Sequence, residues 1–227
     1  MELVGAAVDN NLAVETRENM DMGIKKLQFS EPFYTIKFID TEKRYNIDDT
    51  SIVINLGEKG ILIKDRPLQY LKSTIVRNVI LYDIQRALVI EGYEKTGADA
   101  ELFSKIQKQW PLMYDITREE RFKGVPARRS AIEKVDHIEL KLFYVSALTN
   151  VGLHKQHNHL EVHTQLLGYG KMQKFEDKNY DTLYQEEILA PGNTHDPFYN
   201  EKHVYPWHQY QSISDSIYLY VIMGTSK

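Results

Sequence analysis

Seven of the chain's eight histidines lie between His154 and His208, in segments that alternate apolar and polar residues. This combination constrains the fold more than any other feature. Alternation at period two marks a half-buried strand, so β structure carries the imidazoles. Residues i and i+2 of a strand share a face and stand about 6.6 Å apart. His157 and His159 are such a pair and can lean onto one ion, since a neutral imidazole binds a zinc-like ion at about 2.0–2.1 Å. His154 has the opposite parity and is expected to point away. His163 shares the parity, but a straight strand would carry it roughly 20 Å from His157. It joins the pair only if the chain bends between Leu160 and Val162.

Alternation recurs on both sides of this region. Residues 24–29, 33–39, 51–56 and 61–64 read as strands, the last two flanking a Gly57-Glu58-Lys59-Gly60 turn. Residues 137–147, 154–167, 171–175, 182–189 and 216–222 read the same way, with Gly168, Gly170 and Pro191-Gly192 between them. Two helices are expected. One opens at Asp65-Arg66-Pro67, carries Leu68, Leu71, Ile75, Val79, Ile84 and Leu88 at helical spacing, and stops at Gly92. The other covers Ala98 to Gln109. Both are expected to pack an apolar stripe against the strands. Residues 115–134 hold Arg118, Arg121, Lys123, Arg128 and Arg129 around Gly124-Val125-Pro126. Such a cluster is ordinarily a solvated face. The alternative is a clamp for an anionic group, because guanidinium pairs carboxylate or phosphate bidentately.

Composition removes several classes of function. A net charge of −4 gives no basic surface for nucleic acid, and no apolar run is long enough to span a bilayer. The first residues lack the basic and apolar stretches of a secretory signal. There is no cysteine, which rules out disulfides and thiolate ligands and agrees with a cytoplasmic location. Any metal must therefore be held by His, Asp or Glu.

Gly152, the HNH of 157–159, a gap from Leu160 to Val162, His163, and then Gly170 resemble the first motif of the cupin superfamily. That motif is a glycine, HxH, three or four residues, a glutamate, six residues and a glycine. Here the gap after Gly152 is one residue short, and His163 stands where the family has glutamate. The resemblance covers about residues 137–223. It implies an α+β, mainly β fold: a double-stranded β-helix (jelly-roll) barrel over 135–227, with strands and helices of 1–134 packed on or completing it. It also implies that HxH and the third ligand sit on neighbouring strands, which supplies the bend. The last ligand would be His208, which is favoured, or His195, which keeps a glycine three residues before it. The implied metal set is His157, His159, His163 and His208. Glu161 and His195 are candidates for moving protons, and Gln165, Tyr169, Gln173, Tyr205 and Trp207 for lining the pocket.

Histidine-rich sites suit Fe(II), Mn, Zn or Ni, and Fe(II) is favoured here. The reading is an Fe(II)-dependent oxygenase acting on a small polar or anionic, metal-chelating substrate. The alternatives are a redox-neutral isomerase, epimerase or lyase on a sugar-like substrate, and a barrel that only binds a small ligand. Neither nucleic acid nor membrane is an expected partner, and a homodimer is expected because twofold dimers are the commonest oligomers.

Overall fold

The computed structural model describes residues 23–95, 100–155, 159–198 and 204–224. Its first seven strands are β1 (Gly23–Leu27), β2 (Thr35–Ile47), β3 (Ser51–Asn55), β4 (Ile61–Ile63), β5 (Arg66–Leu68), β6 (Ser73–Val76) and β7 (Val79–Glu91). They form one antiparallel sheet in the order β1-β2-β7-β3-β6, with β4 pairing both β5 and β7. Helices α1 (Ala100–Gln109) and α2 (Met113–Thr117) follow. Eight more strands complete the chain: β8 (Ala127–Arg129), β9 (Glu133–Val135), β10 (Ile138–Val145), β11 (Leu160–Leu167), β12 (Gly170–Phe175), β13 (Leu183–Leu189), β14 (Trp207–Ser212) and β15 (Ser216–Met223). A five-stranded sheet runs β11-β15-β10-β8, with β9 also on β10, and faces a three-stranded sheet, β13-β12-β14.

The long helix expected from Asp65 is absent. That stretch is three strands, and β7 pairs with β2 from Val79↔Ile47 to Glu91↔Thr35. The helical spacing of Leu68, Leu71, Ile75 and Val79 arises from short strands separated by tight turns, with Leu71 and Asn78 at positive φ. Ala87 to Ile90 are buried on both faces of β7, so alternation is lost there and an apolar run remains. The second helix is present as α1.

Parity along the five-stranded sheet sorts side chains into two environments. Leu140, Leu142, Val162, Leu166, Leu219 and Val221 point out of the barrel into a core shared with Ile36, Ile52, Leu88 and Ile90 of the first sheet and with Leu102 and Ile106 of α1. Residues of the other parity, Phe143 and Tyr218, enter a second core inside the barrel with Met172, Tyr210, Phe122 and Phe198. The candidate site lies on this inner face.

Candidate metal centre

On β11 the inward residues are Glu161, His163 and Gln165. Their partners on β15 are Ile222, Tyr220 and Tyr218. The expected bend falls before Leu160 rather than between Leu160 and Val162, so Glu161 lies on a regular strand and is fully buried. The Tyr220 hydroxyl donates to Glu161 Oε2. His208 Nε2 is 3.5 Å from Glu161 Oε1, His159 Nε2 is 3.4 Å from Oε2, and His163 Nε2 is 4.0 Å from Oε1. Among the described residues, one buried carboxylate thus has three imidazoles around it.

His154 reaches the same place by another route. Ahead of β11 it forms an isolated antiparallel bridge with His208. Two backbone hydrogen bonds, 3.0 and 2.9 Å, join the pair, and the ring centroids are 4.2 Å apart. The Gly152 carbonyl is 3.1 Å from His154 Nδ1, and the Pro206 carbonyl is 3.0 Å from His208 Nδ1. Each carbonyl accepts an Nδ1–H and so places the ring's lone pair on Nε2, the arrangement that orients metal-binding histidines. One ligand atom from each of His154, Glu161 and His208 lies within 4.8 Å of the others. Neutral imidazole and carboxylate are borderline-to-hard donors that suit first-row divalent metals.

Strand parity therefore does not govern His154, because it bridges His208 and β11 begins only at Leu160. His157 lies outside the described residues. His159 sits in the bend immediately before β11, where the buried Tyr205 hydroxyl donates to its carbonyl at 2.8 Å. His195 is occupied elsewhere. Its Nε2 accepts from the His163 amide at 2.9 Å and its Nδ1 donates to the Asp196 carbonyl at 2.7 Å. Burial pushes its pKa down to about 4, so the ring is neutral. It ties the segment around Thr194 alongside β11 instead of presenting a nitrogen to the cluster.

Gln165 faces inward, accepting from the Tyr210 hydroxyl at 3.0 Å. Gln173 has the opposite parity to Met172 and bonds to Gln209 and Glu186 on the far face of the three-stranded sheet. Trp207 shares that face, with Lys178 over its ring. Tyr169 is an exposed loop residue. These three stand away from the Glu161 cluster.

A cavity of about 120 Å³ adjoins the centre, lined by His154, His163, Tyr218, Tyr220, Lys141 and Arg129 among others. Met113 of α2 and Phe122 contribute to the same lining. Burial, with the Glu161 charge second for Tyr220, raises the pKa of both Tyr218 and Tyr220 well above the phenol range, so both keep their protons. Tyr220 was detectable in principle, since SIYLYVI alternates tyrosines with apolar residues, but its carboxylate partner is on another strand.

No family model matches the chain, and no curated protein matches it in sequence. Solved structures do. A cupin superfamily protein from Desulfitobacterium hafniense is 15% identical, with 43% of this chain and 77% of that one covered and a TM-score of 0.33. A cupin 2 conserved barrel domain protein from Leptotrichia buccalis is 9% identical, with 92% and 91% covered and a TM-score of 0.35. An oxalate decarboxylase is 11% identical, with 92% and 75% covered and a TM-score of 0.37. The first two of these carry the cupin name, and the structure here is a mainly β barrel, two facing antiparallel sheets with a histidine and carboxylate cluster between them. At TM-scores of 0.33 to 0.37 the likeness transfers no residue role.

Proposed function

We propose that the protein is a metal-dependent cupin enzyme that holds one divalent transition metal through His154, Glu161 and His208, beside His159 and His163. The carrying observation is Glu161, a carboxylate with no solvent exposure surrounded by imidazole Nε2 atoms. A buried carboxylate is costly without a positive charge near it, and a dication among neutral imidazoles supplies that charge. Two histidines and one carboxylate are the donor set of non-haem Fe(II) oxygenases, so an Fe(II)-dependent oxygenase of a small polar substrate is the favoured reading. Such a metal supplies Lewis-acid polarisation of a substrate oxygen and, if iron, redox chemistry with dioxygen.

The chain's own residues do the rest. Tyr220 fixes the carboxylate, the Gly152 and Pro206 carbonyls fix the two rings, and Phe198 stacks on His208 with centroids 4.5 Å apart. Elemental analysis of protein purified without chelators tests the reading. About one divalent metal per chain is expected, lost in His154→Ala and His208→Ala variants whose circular dichroism is unchanged. Wild-type protein that neither carries nor takes up a transition metal would sink it. Oxygen uptake by the iron-loaded protein then separates an oxygenase from a redox-neutral isomerase or lyase.

A further inference from the structure

The cavity beside the metal centre has a cationic wall. On the inner face of the five-stranded sheet, Lys141, Tyr220 and His163 stand in register on β10, β15 and β11, and Arg129, Phe143, Tyr218 and Gln165 form the next row across β8, β10, β15 and β11. Neighbouring strands are about 4.8 Å apart, so Lys141 lies roughly 10 Å across the sheet from the strand that carries Glu161 and His163. Arg121 and Lys141 already have counter-ions, Glu119 at 2.6 Å and Glu139 at 3.1 Å. Arg129 has the Glu139 charge nearby but makes no ion pair among the described residues, and its buried Nε has no hydrogen-bond partner there. Burial lowers the pKa of both Arg129 and Lys141. Both cations are thus partly stripped of water and line the same small space.

A buried guanidinium donor without an acceptor costs free energy that a bound carboxylate recovers, and the planar fork matches a carboxylate's two oxygens. Tyr218 lines the same space with a phenol that adds a donor and no negative charge. At about 120 Å³ the cavity is small and suits a compact ligand.

We propose that this cavity takes a small organic acid, its carboxylate held by Arg129 and Lys141 and its other end directed to His154 and the metal centre. The far end rests on the metal-centre reading, whereas the cationic end does not depend on it. The arginine cluster of the 115–134 stretch then divides, with Arg129 a clamp for an anion and Arg118 on the solvated face.

Calorimetric titration with malonate and with its neutral counterpart malonamide tests this on the full chain, in zinc-loaded and chelator-treated forms. Malonate should bind about tenfold or more tightly than malonamide in both forms. Arg129→Gln and Lys141→Met should each weaken malonate by about tenfold or more, leave malonamide unchanged and keep the wild-type circular dichroism and zinc content. Arg129→Lys, which keeps the charge and loses the fork, should fall between. Failure of malonate to bind, equal binding of malonamide, or wild-type malonate affinity in both variants overturns the proposal. A chain that takes up no metal yet binds malonate through Arg129 and Lys141 overturns the metal reading alone. A zinc-loaded chain whose malonate binding ignores both residues overturns this one alone.

Discussion

Glu161 concentrates the chemistry of the site at the scale of single residues. Three imidazoles come within 4.0 Å of its oxygens, and the only hydroxyl bonded to it among the described residues is that of Tyr220. A group that orients a ligand in this way typically changes metal affinity by about 10–100-fold when removed. Tyr220→Phe should therefore weaken zinc binding by that factor in competition with a chromophoric chelator, with little change in stability. Unaltered affinity would leave Tyr220 a packing residue. His195 makes a separate prediction about pH. Its folded pKa of about 4 is below the ordinary histidine value of 6.5, so the unfolded chain takes the proton first. The stabilisation is complete above about pH 6.5 and is lost as pH falls toward 4, by about 3 kcal/mol in all. Urea denaturation of metal-free protein across this window should show the loss. His195→Gln, which keeps an acceptor for the His163 amide, should flatten it. Parallel pH profiles for the two proteins would remove His195 from the titration.

Individual elements differ in how clearly their residues announce them. Strands β10, β11 and β15 were legible because each has one face in the shared core and the other toward the barrel interior, whereas β8, β9 and β14 were not read as strands. The sequences of residues 138–142 and 216–221 consequently alternate. β7 was not legible, because Ala87 to Ile90 are buried on both sides and keep no period. The histidines divide the same way. That an imidazole cluster sits inside a β-barrel followed from the spacing. That His154 belongs to it did not, since its position is set by bridging His208, a pairing that no local pattern encodes. Glu161 was read onto a bend because the strand was extended too far back toward His154. The closing glycine of the motif has a physical reason in the structure. A Cβ on Gly170, the first residue of β12, would come within 2.1 Å of the Tyr210 hydroxyl, which donates to Gln165. Gly170→Ala should destabilise the protein by about 1–3 kcal/mol through overpacking. Chemical denaturation checks this, and the Gly170→Ala penalty should shrink in a Tyr210→Ala background, which lacks the ring that the new methyl meets.

At the scale of the whole molecule, the first sheet and the barrel share one core. Leu219 and Val221 of β15, Val162 and Leu166 of β11, and Leu140 and Leu142 of β10 pack with Ile36, Ile52, Leu88, Ile90 and the α1 residues Leu102 and Ile106. The outward face of the five-stranded sheet is therefore apolar only because the seven-stranded sheet and α1 cover it. Removing that cover would expose a contiguous apolar face on the sheet that carries Glu161 and His163. Such surfaces lead to association rather than to a stable monomer. The two sheets should consequently unfold together. Leu219→Ala, at the centre of the shared core and with a fully buried side chain, should cost about 2–5 kcal/mol. The loss should appear equally in two probes: tryptophan fluorescence, from Trp110 after α1 and Trp207 in β14, and far-ultraviolet circular dichroism. Zinc should raise the midpoint of the same single transition, by about 4 kcal/mol of stability at a thousandfold excess over its dissociation constant. Two separated transitions, with zinc and Leu219→Ala moving only one of them, would show that the first sheet folds on its own and that the metal centre needs only the barrel.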